Sequence, residues 1–245
     1  MSLKNKLKGY LKKKLSPSSI NRLKDINSHC LRAFGFVMYP YARFVGTPLN
    51  LLKNKRKHER WLEIGPGPRR VPGFETINVV WGHDVDYIGD ASKRLPFASD
   101  SFDLVYASHV LEHIPWYQVP SVIKEWVRII KPGGSIEILL PNGLLIAQTF
   151  VNSELGISND IGEDGWYKFN ERHDPCVWAN GRIFSYGDGT GRKNNPNWHM
   201  SVFSPRYLRS LLEDSGLIKI HELNRSEVRG HDHGWINLGM RGYKP

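Results

Sequence analysis

The segment that most constrains this chain is Trp61-Leu62-Glu63-Ile64-Gly65-Pro66-Gly67-Pro68. Three apolar residues and one acid run straight into a Gly-x-Gly turn, the pattern of a buried strand that ends in a sharp loop. Glycine has no Cβ, so the chain can turn tightly there and a ligand can approach the backbone closely. A Gly-x-Gly turn alone is weak evidence, because many tight turns carry one. From Trp61 onward strands alternate with helices, which favours a parallel sheet covered by helices. Expected strands are Thr76–Val80, Val85–Ile88, Phe102–Ala107, Ser135–Leu140, Leu217–Ile220 and Ile236–Met240. A helix around Val122–Ile130 is stopped by Lys131-Pro132-Gly133-Gly134, and Ser204-Pro205 opens another with Leu208, Leu211 and Leu212 facing inward.

Charge divides the chain unevenly. Of 34 basic and 24 acidic residues, eight basic and no acidic ones fall in residues 1–24, leaving 26 against 24 elsewhere. The net charge of +10 therefore belongs to the N-terminal arm. A nearly neutral body argues against a nucleic-acid groove across it. In the arm, Leu3, Leu7, Tyr10, Leu11 and Leu15 share one helical face and lysines fill the other. Two readings stand: peripheral membrane contact through residues 1–15, or a helix packed on its own domain with a solvated lysine face. A second helix is expected from Ser16 and Pro17 through Phe34, and residues 36–50, broken by Pro40, Gly46 and Pro48, read as a connection. No stretch reaches the ~20 apolar residues of a membrane span, and no signal-peptide core follows the basic start. Cys30 and Cys176 lie far apart, which fits a reduced, cytoplasmic protein, either free or peripheral at the inner membrane face.

Residues 141–200 interrupt the alternation. Only Leu144–Val151 reads as helix; the rest is rich in Gly, Asn, Asp and aromatics, as expected of a functional lid. Trp166, Tyr167, Phe169, Trp178, Phe184, Tyr186 and Trp198 are interleaved with Asp174, Asn180, Asp188, Asn194 and Asn195. Such a set suits stacking on sugar rings and bonding their hydroxyls, or packing the insertion's own core.

Six motifs in order carry a resemblance: Glu63-Ile64-Gly65-Pro66-Gly67, Gly89-Asp90-Ala91, Leu95-Pro96-Phe97, Ser101-Phe102-Asp103, Ser108-His109-Val110-Leu111-Glu112-His113 and Lys131-Pro132-Gly133-Gly134. Over residues 58–245 the chain resembles the class I S-adenosylmethionine-dependent methyltransferases, most closely the small-molecule branch with an LPF…SFD…SHVLEH run. The resemblance implies a Rossmann-like, mostly parallel seven-stranded sheet with helices on both faces. To this are added an N-terminal helical extension (1–50) and, within a methyltransferase domain (51–245), the lid insertion (141–200).

It further implies an S-adenosylmethionine site of Glu63, Gly65, Pro66, Gly67, Asn78, Val80, Trp81, Asp90, Ala91, Ser108 and His109. Glu63 would attract the cofactor's ammonium group, Asp90 the adenine amino group, and Trp81 would cover the adenine face. Alternatively, Glu63 is a strand carboxylate satisfied by backbone amides. The family usually ends its second strand with an acid that holds both ribose hydroxyls; here Val80 stands in that place and accepts no hydrogen bond, leaving Asn78 or Asp84 as substitutes.

If the acceptor is a hydroxyl, His109, His113 or His199 is the expected base. The absence of an Asn/Asp-Pro-Pro-Tyr/Phe stretch, with the neutral body, favours a small-molecule acceptor, such as a sugar or cell-surface precursor hydroxyl. His109-Val110-Leu111-Glu112-His113 formally fits His-x-x-Glu-His. It follows a strand directly and meets Pro115 at once, so no metal is expected there, and His231-Asp232-His233 reads as a polar loop. The alternative class is a non-catalytic binding or scaffold protein that keeps the fold.

Overall fold

The computed structural model describes residues 35–67, 70–158, 161–162, 169–185 and 195–245. The expectations for the basic arm, the Ser16 helix and Cys30, and for Trp166, Tyr167, Tyr186, Asp188 and Asn194, lie outside them. Seven strands form one sheet: β1 (Trp61–Ile64), β2 (Glu75–Asn78), β3 (Tyr87–Ile88), β4 (Phe102–Ser108), β5 (Ile130–Pro141), β6 (Ile218–Glu222) and β7 (Asn237–Tyr243). Their order is β3-β2-β1-β4-β5-β7-β6, with β7 alone antiparallel to its neighbours β5 and β6.

The parallel strands β1, β2 and β4 are buried on both faces, as helical cover requires, whereas β6 at the antiparallel edge is largely exposed. Along β4 the side chains alternate: Phe102, Val105 and Ala107 join the main core, whereas Leu104 and Tyr106 join a smaller cluster with Phe74 and Leu139. Five α-helices are described: α1 (Thr47–Asn54), α2 (Val119–Arg128), α3 (Gly143–Glu154), α4 (Pro175–Phe184) and α5 (Pro205–Asp214). In α2, Val119, Val122, Ile123, Trp126 and Val127 are buried, the spacing of a single helical face. In α5 the same logic buries Leu208, Leu211 and Leu212, and Ser204 caps the helix by accepting from the Tyr207 amide.

Several boundaries differ from the sequence reading. Residues 36–50 are not a connection: residues 35–41 are helical and run through a π-helical turn, Ala42–Gly46, into α1. Pro40 removes one amide from the regular ladder and a π turn follows; Pro48 sits in the first turn of α1, where its missing N–H costs nothing. This helical segment is bound to β3. Thr47 Oγ1 accepts the Ile88 amide at 2.9 Å, Asn50 donates to the Asp86 carbonyl at 2.8 Å, and Asn54 donates to Tyr87 Oη at 2.7 Å. β2 stops at Asn78 rather than Val80, β3 is reduced to Tyr87–Ile88, and β5 starts at Ile130.

The insertion holds a second helix, α4, that composition concealed; its start is capped by Asp174, which accepts from the Val177 amide at 2.9 Å. Trp178, Ala179, Ile146 and Ile161 form a separate small core, so Trp178 packs the insertion itself. Among the described residues, no helix is long and apolar enough to cross a membrane.

Candidate active site

The sheet order reverses between β1 and β4: β2 and β3 extend to one side, β5 to the other. At such a switch point the loops beyond the strands' carboxyl ends part and leave a crevice. Here a cavity of about 580 Å³ opens, within the range of small-molecule sites. β1 to β4 each contribute the residue at or just past their end: Gly65 after β1, Asn78 on β2, Gly89 and Asp90 after β3, and His109 after β4.

Two glycines are required by the geometry. Gly65 has φ +68°, and a Cβ there would lie 2.5 Å from Val110 Cγ2. A Cβ on Gly89 would lie 2.7 Å from Ile77 Cδ1. At both glycines an added Cβ would meet a neighbouring side chain, so the two loops pack closely there. The Gly89–Ser92 turn is fixed from two sides. Asp90 Oδ1 accepts from the Ser92 amide and hydroxyl at 2.9 and 2.7 Å, and the Ala91 carbonyl accepts from Trp126 Nε1 at 3.0 Å. The apolar stripe of α2 thus positions the loop as well as the core.

Of the residues expected at the cofactor, Gly65, Asn78, Val80, Asp90, Ala91 and His109 line this cavity; Glu63, Pro66, Gly67, Trp81 and Ser108 do not. Glu63 is buried, and its Oε2 accepts the Val71 amide at 2.7 Å. Burial raises its carboxyl above the ordinary value, against the Val71 bond and the Arg70 charge. Gly67 has open space around it, and Trp81 stands against Gly35. Asn78 Oδ1 accepts the Val79 amide at 2.7 Å. Asp84 lies outside the cavity, with Oδ1 3.7 Å from Arg70 Nε. Val80 is 55% exposed and lines the cavity. Lys93, Gln118, Asn197 and Met200 also line the cavity, and no sequence signal pointed to them.

The histidines gather beside the β4 end. His109 takes φ +55°, a left-handed conformation that is costly for a residue with a Cβ and concentrates at functional sites. Its Nδ1 stands 3.0 Å from Glu112 Oε1 and its Nε2 3.0 Å from Asn237 Oδ1. The ring of His233 lies tilted against it, 3.8 Å between centroids, while residues 231–233 themselves do not line the cavity. Burial, then the neighbouring imidazoles, pushes His233 down to about 4.

His113 lines the cavity, and its ring lies 5.0 Å from that of His199. His199 itself borders a smaller adjoining cleft with Glu112 and Arg182 rather than the main cavity. Burial lowers His199. Glu112 is sealed from solvent; burial pushes its carboxyl up, but the imidazoles of His109, His113 and His199 outweigh it and hold the group below its ordinary value. Leu111–His113 is a single 3₁₀ turn, so His109 and His113 are not paired on a helix as a zinc peptidase would need.

Residues 73–138 match the family model of a methyltransferase domain. That match spans β2 to β5 and joins the strand order to the motif run. Over those residues the chain is similar to the methyltransferase domain family. The demethylmenaquinone methyltransferases of Bacillus velezensis and Bacillus subtilis are 35% and 32% identical over 78 and 81 residues, 32% and 33% of this chain. The matches cover only 29% and 30% of those relatives' own length. Among solved structures, a SAM-dependent methyltransferase from Thermotoga maritima is 18% identical, covers 91% of this chain and 97% of its own, and has a TM-score of 0.45. One from Methanosarcina mazei is 16% identical, covers 79% and 96%, and also scores 0.45. These two likenesses add nothing about activity.

Proposed function

We propose that the chain is an S-adenosylmethionine-dependent methyltransferase acting on a small-molecule acceptor, with a hydroxyl oxygen as the atom methylated. The observation that carries this reading is the cavity at the strand switch, whose floor is cut by Gly65 and Gly89 where any Cβ would collide. When bound, S-adenosylmethionine supplies a methyl group on a positively charged sulfur. The chain's own part is positioning and exclusion of water, which suits an in-line displacement. Gly65 admits the ligand to the backbone, Asp90 and Ala91 offer polar groups at the β3 side, and Asn78 stands at the β2 end. His109 and His113 wall the opposite side, where an acceptor hydroxyl would give up its proton. A sugar or cell-surface precursor is the acceptor class we would assay first. Among the described residues the lid contributes Pro196, Asn197 and Met200 to the cavity, not an aromatic ring.

A second reading, a binding or scaffold protein that keeps the fold, is favoured by Val80 alone, since it removes the usual ribose acceptor. The readings separate on incubating the full chain with labelled S-adenosylmethionine and an acceptor panel. Label transfer supports the enzyme; cofactor or product binding without transfer to any acceptor favours the second. Peripheral membrane contact through residues 1–15 remains a proposal. It is supported by the exposed apolar residues Phe36, Phe44, Leu49 and Leu52 on the helical segment that follows the arm. Co-sedimentation with anionic vesicles, lost on deleting residues 1–15, is the expected result.

A further inference from the structure

Glu112, His113 and His199 each bring one ligand atom to a common point: a carboxylate oxygen and one nitrogen of each imidazole lie within 4.8 Å of one another. We propose that this triad is a binding site for one divalent transition-metal ion of the zinc class. The site goes beyond methyl transfer and stands whether or not the chain methylates anything.

The donor set selects the ion. Two imidazoles and one carboxylate suit zinc and its first-row neighbours, whereas magnesium and calcium take oxygen ligands almost exclusively. Glu112 supplies the driving force. Its side chain is 1% exposed, and neither carboxylate oxygen accepts a well-directed hydrogen bond, although His109 Nδ1 stands 3.0 Å from Oε1. A carboxylate stripped of water and short of donors is costly, and buried charges are ordinarily paired or bound to metal. A cation at this point relieves that cost.

Each imidazole already has a backbone partner. His113 Nδ1 lies 3.2 Å from the Trp198 carbonyl oxygen, and His199 is hydrogen-bonded to the backbone of Ile183. Metal-ligating histidines characteristically give their second nitrogen to such a partner, which fixes the tautomer and leaves the other lone pair for the ion. The backbone holds the ligands together too. The amides of Met200 and Ser201 donate to the Glu112 carbonyl at 2.7 and 3.1 Å, fastening the segment that carries His199 onto the turn that carries the other two. Ligand atoms on a tetrahedral ion stand roughly 3.3 Å apart, so rotamer adjustments of about 1 Å close the site.

Three protein ligands leave one position open, the arrangement of a metal that binds a water or a substrate oxygen. His113 also lines the main cavity, with Met200 beside it. Glu112 and His199 border the smaller adjoining cleft, so the ion would stand between cavity and cleft, where it would lower the proton affinity of a bound hydroxyl. Under this proposal His113 and His199 hold the ion rather than move a proton.

The test uses the tag-free full chain, cleared with chelator and titrated with zinc and with cobalt(II). Expected are about one equivalent of zinc by elemental analysis, tetrahedral d–d bands with cobalt, and a Tm raised by zinc. Glu112→Gln and His199→Ala, confirmed folded by circular dichroism, should weaken binding about a hundredfold or more, while exposed His58→Ala should not. Wild type that shows no cobalt bands and no zinc retention overturns the proposal, as does equal binding by the folded variants. If both variants unfold, the wild-type cobalt spectrum and zinc-dependent Tm decide alone.

Discussion

Replacing Gly65 by alanine tests the floor of the cavity. At φ +68° a residue with a Cβ pays about 1–2 kcal/mol for the left-handed conformation. The added methyl would lie 2.5 Å from Val110 Cγ2, against the ~3.5–4.0 Å of a normal carbon contact, so one of the two must move by about 1 Å or more. Valine is stiff at χ1, so turning Cγ2 aside carries a cost of its own. Overpacking of this kind costs about 1–3 kcal/mol. Together the two effects come to roughly 2–5 kcal/mol, or a Tm lowered by about 4–20 °C for a domain of this size. Val110 lines the cavity, so whatever strain is relieved by moving it or the loop deforms the binding wall. Differential scanning fluorimetry and calorimetry with S-adenosylhomocysteine read the two costs separately. Gly67→Ala is the control, since its Cβ meets nothing within 4 Å and its φ is ordinary. A Gly65→Ala chain that melts with wild type and binds equally well would refute the reasoning, as would an equal loss from Gly67→Ala.

Val80→Asp restores an acceptor at the mouth of the cavity. At 55% exposure the gain is discounted to about 1 kcal/mol, roughly fivefold tighter S-adenosylhomocysteine in calorimetry, whereas Val80→Ala should change little. Trp126→Phe removes the donor to the Ala91 carbonyl. A cost of about 1–2 kcal/mol in chemical denaturation, with weaker cofactor binding, is expected. Glu75 is buried, and burial alone would raise it, but hydrogen bonds from Arg60 and Tyr87 and the Arg60 charge hold it below its ordinary 4.5. Its contribution to stability is therefore complete above that value and lost as pH falls through the lower folded value. Glu75→Gln should cost about 3–5 kcal/mol near neutrality, because it leaves Arg60 buried without its partner, and should remove this component of the acid transition in urea melts across pH.

What the sequence made legible was local in origin. β1 running into Gly65 was readable because apolar residues meet a glycine that geometry demands. The α2 stripe was readable because Val119, Val122, Ile123 and Trp126 repeat at the helical period. α4 was hidden, although Asp174-Pro175 is a good opening, because the surrounding glycines, asparagines and aromatics dilute its period. Residues 36–50 misled through Pro40 and Pro48, which read as breaks and stand instead before a π turn and in a first helical turn. In the site, Asp90 and His109 stand in the motif run and Asn78 at the end of the second strand, and all three line the cavity. Glu63 takes the alternative its sequence position offered, a strand carboxylate that accepts a backbone amide, that of Val71. The meeting of Glu112 with His199, and of His109 with His233, joins residues far apart in the chain, and no periodicity records such a contact.

The central claim, that the cavity at the β1–β4 switch holds S-adenosylmethionine, is tested most directly by calorimetry of the full chain with S-adenosylhomocysteine. The account predicts one site per chain with a micromolar dissociation constant, about −8 kcal/mol, abolished or strongly weakened by Gly65→Ala in a folded chain. No detectable heat with the intact protein at ligand concentrations near about 1 mM, or binding unchanged by Gly65→Ala, would contradict it.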